Sequence, residues 1–440
     1  MAINSKCIVI GAGLAGCEAA WQLALMGINV ELYEMKPQKM SPAHISSDFS
    51  ELVCSNSFRS NEKTNAVGLL KEEMRKLGSL LIACADETSV PAGNALAVDR
   101  EKFASRVTKL IEKHPLIKTY RQEITKIPDG RVIIATGPLT SDALAENIAK
   151  ELPNKEFLSF FDAAAPIVTY DSVDMNSAYF ASRYDKGSPD YINCPMSKEE
   201  YITFYKELIT AETAGLKGFE DKKIFEGCIP IEIMARRGED TMRYGPLKPV
   251  GLPDPKTGKL PYAVVQLRKD NIEGTLYNLV GFQTNLKFNE QKRVLSMIPA
   301  LAHAEFSRFG LMHRNTFLNS PKLLDRYYRL KVDTRISFAG QITGVEGYVE
   351  SAASGLLAGI ETARELKGQA PVDFPSATAI GALALYISDG STGDFQPMNV
   401  NFGIIDLLPT IVKGKQNRNL RISERSLRIV DELVEKGLRC

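Results

Sequence analysis

The sequence lacks most of what would mark a metal, disulfide or membrane protein. Its 7 cysteines include no CxxC or CxxxxC pair, which argues against a disulfide framework, a zinc site or a dithiol redox centre. Its 4 histidines, His44, His114, His303 and His313, show no metal-ligand spacing, so no metal is expected. No run approaches the ~18 apolar residues of a membrane span, and the chain opens on a strand-like run with no secretory signal pattern. The expected location is the cytoplasm, with no membrane partner. There is no internal repeat and no low-complexity tract. A net charge of +1 over 440 residues points to no partner by itself. The length allows two domains, or one large domain with an insertion.

What is present begins at Cys7. An apolar run, Cys7 to Ile10, has strand length and β-branched content. It meets Gly11-Ala12-Gly13-Leu14-Ala15-Gly16, then a helical period through Ala20, Leu23, Ala24 and Met26. Gly27 ends that helix, and Ile28 to Tyr33 reads as a second strand closing on Glu34. Gly11 allows the tight turn, Gly13 lets a pyrophosphate approach the backbone, and Gly16 lets helix and strand pack closely. The helix N-terminus supplies free N–H groups and a positive dipole end. Glu34 is placed to accept hydrogen bonds from a ribose, so the stretch reads as a dinucleotide site.

Further along, 36–61 loses periodicity and is rich in Ser, Pro, Asn and His, which marks a functional or mobile segment. A helix is expected through Leu70, Met74, Leu77 and Leu81. Another is N-capped by Asp99. Strands are expected over Leu116–Thr125 and Arg131–Ala135, the latter ending in a Gly-Pro turn at the sheet edge. Alternating strands and helices imply a largely parallel sheet. Between about 161 and 330 the texture changes to short β-like runs with frequent Pro and Gly. The expected division is a first part of the nucleotide-binding domain at 1–160, an inserted α+β substrate domain at 161–330, and the second part with C-terminal helices at 331–440. Arg335 to Gln341 is another strand meeting a glycine, followed by Gly344 to Glu350 and an Ala/Gly-rich helix over Ser351–Glu365. Two such turns suit a long dinucleotide laid across the sheet, FAD rather than NAD. Only one full fingerprint is present, so a nicotinamide reductant would dock without its own domain.

Two cysteines stand out by context. Cys54 lies in the aperiodic segment among Ser, Asn and Arg59, and Cys228 lies between a glycine and a proline. A thiolate is the usual nucleophile for an electron-poor ring. Cys7, Cys17 and Cys84 read as core hydrophobes, while Cys194 and Cys440 are undecided. Basic residues gather at Arg236, Arg237, Arg243 and Lys248, at Lys292, Arg293, Arg308 and Arg314, at Lys322, Arg326, Arg329 and Lys331, and along 413–428. Such clusters suit an anionic macromolecule as well as solvated helix faces.

VIGAGLAGCEAA, ELVCSNSFRSN, EGCIPIE, MARRGEDTMRYGPLKPVG, VGFQTNLKF and FAGQITGVEGYVESAASG together resemble the bacterial folate- and FAD-dependent tRNA (uracil-5-)-methyltransferases, over essentially the whole chain. The resemblance implies a Rossmann-like FAD-binding α/β fold of the glutathione-reductase type. It implies FAD as cofactor, methylenetetrahydrofolate as one-carbon donor, NADH or NADPH as reductant, and tRNA as substrate, with no stable protein partner. The cofactor-binding candidates are Gly11, Ala12, Gly13, Leu14, Ala15, Gly16, Glu34, Arg59, Gly340, Gln341, Gly347 and Tyr348, with Tyr348 stacking on a flavin or folate ring. Cys228 resembles the cysteine that adds to uracil C6, and Cys54 the second one, which tunes or protects the methylene near the flavin. Arg236, Arg237, Arg243 and Lys248 are the tRNA-binding candidates. The alternatives are the wobble-uridine-modifying flavoenzyme, whose long helical C-terminal region 440 residues cannot hold, a small-molecule flavin reductase, and a non-catalytic tRNA-binding flavoprotein.

Overall fold

The structure, a computed structural model, describes residues 5–152, 157–185, 187–214, 229–310, 312–391 and 395–438. A six-stranded sheet runs in the order Arg329–Leu330, Asp333–Phe338, Val132–Ile134, Lys6–Ile10, Asn29–Glu34 and Ile117–Arg121. Every pairing in it is parallel except that of the edge strand Arg329–Leu330. Val9, Leu32, Ile133 and Ile336 are fully buried in it, as expected of parallel strands covered on both faces. Val132–Ile134 lies inside the sheet, not at its side. All three of its residues are buried, which is why the run is uninterruptedly apolar.

Helix Leu14–Leu25 connects the first two strands, and helix Tyr348–Leu366 lies against it. Their contact is made by the absence of side chains. A Cβ on Gly355 would stand 2.2 Å from the Ala15 carbonyl oxygen, and one on Gly359 would stand 2.8 Å from that of Ala19. No larger residue fits without moving a helix.

The helix expected through Leu70 and Leu81 is two helices, Ala66–Lys76 and Leu80–Glu87, broken at Gly78 with φ +64. Glu18, buried in the first helix, explains the break. Its carboxylate accepts from the Ser79 hydroxyl at 2.6 Å and from the N–H groups of Leu80 and Leu81 at 3.2 and 3.0 Å. It thereby caps the second helix from across the chain. The aperiodic segment also contains a strand, Ser57–Ser60, which joins Ala95–Val98 and Ser89–Val90 in a small sheet.

A second six-stranded sheet is wholly antiparallel, in the order Tyr179–Ala181, Tyr191–Met196, Ala263–Lys269, Leu276–Leu279, Ile167–Thr169 and Phe306–Arg308. Helix Lys198–Thr210, started by a Ser197/Glu200 capping box, packs on it. The antiparallel pair Phe157–Ala163 and Met312–Leu318 carries the chain out to this sheet and back. Among the described residues no helix is long and apolar enough to cross a membrane.

The C-terminal helix, Lys415–Glu435, is held by polar contacts rather than by a large apolar face. Asn419 and Ser423 donate to the carbonyls of Thr64 and Lys63 at 3.0 and 2.6 Å, and Ser426 donates to Glu73. Glu73 also accepts from the N–H groups of Ala379 and Ile380 at 2.7 and 2.9 Å. Burial pushes its carboxyl from the ordinary 4.5 up to about 7, against those hydrogen bonds. A raised folded pKa contributes stability that is complete below the unfolded value and lost as pH rises through the folded one. The melting temperature of the wild type should therefore fall between about pH 5 and about pH 8 by more than that of Glu73→Gln. Parallel curves for the two proteins would contradict this.

Candidate cofactor and catalytic site

The turn after the first strand is built so that only glycine fits at positions 11 and 16. Gly11 has φ +95, and a Cβ there would meet the Ala135 carbonyl at 2.6 Å; one on Gly16 would meet the Gly11 carbonyl at 1.8 Å. Gly13 differs, because a Cβ on it would meet nothing within 4 Å. It caps helix Leu14–Leu25 with no side-chain hydrogen bond, so the first-turn N–H groups point to open space. Glu34 closes the turn from the second strand. Its carboxylate accepts from the N–H of Ala12 at 2.8 Å and from that of Lys36 at 3.0 Å.

A second turn approaches from the other end of the chain. Gly340, at φ +85, donates its N–H to the Ser354 hydroxyl at 2.7 Å, and a Cβ on it would stand 2.9 Å from the Ala15 methyl. Gln341 donates to Glu346 at 2.7 Å. Gly347, at φ +107, then opens helix Tyr348–Leu366, again without a side-chain cap. Two helix N-termini thus flank one cavity of about 400 Å³, lined by both turns and by the loop after Val132–Ile134. An open glycine cradle, uncapped N–H groups and an acid at the end of the second strand fit an adenine dinucleotide.

The aperiodic segment supplies the far wall, and contacts from several elements fix it there. The Tyr348 hydroxyl accepts from the N–H groups of Cys54 and Ser55 at 2.8 and 3.1 Å. From the second sheet, Arg268 donates to Ser55 at 2.7 Å and to Asn56 at 3.0 Å. The buried Asn56 amide in turn donates to the carbonyls of Val98 and Lys269 at 3.0 and 2.9 Å. Arg100 pairs with Asp270 at 3.0 Å and lies 3.5 Å from the Cys54 carbonyl. Arg59, at φ +60, pairs with the fully buried Glu350, whose Oε2 has no hydrogen-bond partner among the described residues. Lys71 underlies that strand, donating to the carbonyls of Phe58, Arg59 and Ser60 at 2.8, 3.2 and 2.7 Å. Burial pulls its pKa down to about 7, yet three carbonyl acceptors match the three protons of the ammonium.

Every cofactor candidate read from the sequence lines this cavity except Gly16, which lies beneath it as a packing contact. Cys54 lines it too and is partly exposed, whereas Cys7, Cys17, Cys84 and Cys194 are buried with thiols pushed up to about 12. Cys228 lies outside the described residues, as does Cys440. The chain after Cys228 is anchored beside the cavity. Ile231 donates its N–H to Gln283 at 2.7 Å, and Glu232 accepts from Thr284 and from the Asn285 N–H, both at 2.8 Å. None of the tRNA candidates lines the cavity. Arg236, Arg237 and Lys248 are exposed. Arg243 stacks on Tyr262 at 3.6 Å, donates to the Tyr262 carbonyl at 3.0 Å and pairs with Asp240, so it is engaged within the fold. Arg268, Asn56, Asp270 and Glu350 were not read from the sequence. The available signal was charge or amide inside apolar runs, LRKD at the end of a strand and YVES at the head of an Ala-rich helix.

A parallel sheet with two glycine-turn helix ends facing one cavity defines the α/β FAD-binding fold. The profile of the family "Glucose inhibited division protein A" matches residues 6–370. The chain is 60% identical to the methylenetetrahydrofolate–tRNA-(uracil-5-)-methyltransferase TrmFO of Acetivibrio thermocellus, over 97% of this chain and 98% of that one. It is 59% identical to the protein of the same name from Lactobacillus gasseri, with the same coverage. The GidA of Aquifex aeolicus superposes with a TM-score of 0.71 at 15% identity, over 100% of this chain and 74% of that one, which shows the shared fold. The chain belongs to the glucose-inhibited division protein A family and, within it, to the methylenetetrahydrofolate–tRNA-(uracil-5-)-methyltransferases.

Tyr348→Phe removes one acceptor from two backbone donors and should free the Cys54 wall without emptying the core. Leaving such donors unpaired costs about 1–3 kcal/mol each. Hydrogen exchange at the Cys54 and Ser55 amides should accelerate at least about 10-fold in the variant. Unchanged exchange would mean that other contacts hold the segment.

Proposed function

We propose that this protein methylates C5 of a uridine in tRNA with the methylene of methylenetetrahydrofolate, reducing that methylene to methyl. Donor and acceptor are those in the names of its relatives. The T-loop uridine, giving ribothymidine, is the target implied by the resemblance of the cysteine motifs. The observation that carries the reading is Cys54, a partly exposed thiol fixed at the wall of the cavity between the two helix ends. FAD held there supplies the reducing equivalents, replenished from NADH or NADPH.

The chain's own residues have separable tasks. The N–H groups behind Gly13 and Gly347 hold the pyrophosphate, and Glu34 takes the ribose hydroxyls with its remaining lone pairs. Arg59, held by Glu350 and set on the Lys71 shelf, faces the cavity as a cation. Tyr348 positions the backbone of Cys54 through its hydroxyl, and its ring remains beside Phe58 with centroids 5.9 Å apart. Cys228 adds its thiolate to uracil C6, which makes C5 nucleophilic toward the methylene carbon. The C5 proton is then lost as the methylene–nitrogen bond to tetrahydrofolate breaks, a hydride equivalent that bound reduced FAD would supply completes the methyl group, and departure of the thiolate from C6 restores the ring double bond. The antiparallel sheet and its helices, within 161–330, hold the tRNA, with the exposed Arg236, Arg237 and Lys248 at its phosphates. The uridine reaches the thiolate flipped out of its loop.

The test uses the purified flavoprotein, unmodified tRNA, labelled methylenetetrahydrofolate and a nicotinamide reductant. Label should appear in 5-methyluridine after nuclease digestion, and only when folate and reductant are both present. Cys228→Ala should abolish the label and leave tRNA affinity unchanged. Absence of label, from wild-type protein that holds FAD and is reduced by the nicotinamide, would overturn the assignment.

A further inference from the structure

Away from the cofactor cavity, three phenylalanines of the antiparallel half form a ladder of near-parallel rings. Phe309 stacks on Phe306 with centroids 5.3 Å apart and planes 14° apart, and on Phe288 at 5.2 Å and 16°. Only Phe306 packs against the core of that half, and the outermost ring, Phe288, is 54% exposed. Packing of apolar rings admits edge-to-face pairs as readily as offset stacks. Two successive parallel contacts that end at an exposed ring leave a platform for one more flat ring. The residue one turn on along helix Phe288–Leu295 is the exposed Lys292, on the same face as Phe288.

The middle ring of the ladder is tied to the segment that follows Cys228. Gly310, next to Phe309, donates its N–H to Gln291 at 2.7 Å, and a Cβ on it would stand 2.6 Å from the Thr284 methyl. Thr284 donates to Glu232, in the segment that follows Cys228. Phe288 is thus joined to that segment through Phe309, Gly310 and Thr284.

We propose that Phe288, with Phe309 and Phe306 behind it, is the stacking platform for an unpaired nucleobase of the tRNA loop, with Lys292 on the adjoining phosphate. This rests on the tRNA reading above and assigns it a contact. A single exposed ring beside a cation has the composition of a single-strand stacking site. It is far too small for a stable protein interface.

The experiment uses the full-length flavoprotein, a T-arm hairpin RNA, and a fully paired RNA of equal length. Phe288→Ala should weaken the hairpin roughly 5-fold to 100-fold and leave the paired RNA and the flavin absorbance unchanged. That loss should persist at high salt, because stacking is not ionic. The F288W variant adds one indole to a chain with 1 tryptophan, and its fluorescence should be quenched by the hairpin and not by the paired RNA. Wild-type hairpin affinity in Phe288→Ala with unquenched F288W would overturn the platform and leave the tRNA reading standing. Quenching of F288W by tetrahydrofolate without RNA would overturn it in favour of a folate contact. Failure of the wild type to bind either RNA would overturn the tRNA reading and this one with it.

Discussion

The close approach of helix Leu14–Leu25 to helix Tyr348–Leu366 is the constraint on which the rest of the site depends. At Gly355 over Ala15 and Gly359 over Ala19 the backbones meet without side chains between them. The two segments lie more than 300 residues apart in the chain, so the contact closes the half built on the parallel sheet on itself. It also sets two positive helix ends side by side, where Gly340 touches Ala15. A single helix end binds one anion. Two ends facing one cavity suit a molecule with a pyrophosphate and a long apolar ring system.

The second dependency is the wall carrying Cys54. It belongs to no long helix or strand, and it is ordered by Tyr348 on one side and by Arg268 and Asn56 on the other. Tyr348 is the first residue of the late helix, and Arg268 lies in the antiparallel sheet. Its position therefore reports on both halves of the molecule at once. The charged groups beneath it, Lys71, Arg59 and Glu350, are buried or half-buried, so disturbing one exposes the desolvation of the others. That coupling places a partly exposed thiol on a loop while denying the loop freedom.

How much of this was legible in the sequence follows from where the determinants lie. The glycine turns, Glu34 and the parallel strands are local patterns with a period or a spacing, and they stand where the pattern put them. The helix through Leu70 and Leu81 was misread as continuous because its interruption comes from Glu18, some sixty residues upstream, capping a second helix. The strand Ser57–Ser60 was invisible because its partner strand, Ala95–Val98, is distant in the chain. Arg243 illustrates the limit on charge clusters. It sits in a basic run, yet Tyr262 and Asp240 engage it within the fold. Cys54 was legible by context alone, whereas the hydroxyl that pins it could be found only once the two ends of the chain were brought together.

The most direct measurement is FAD affinity, by flavin titration, of the apoprotein carrying Gly355→Ala beside the wild type. A methyl at Gly355 must move the helices, and such overpacking strains a site by roughly 1–3 kcal/mol. If the paired helix ends form the cradle, affinity should fall at least about 10-fold while far-ultraviolet circular dichroism is retained. Wild-type affinity in a folded Gly355→Ala protein would contradict the account, because the cofactor would then not depend on how the two helices meet.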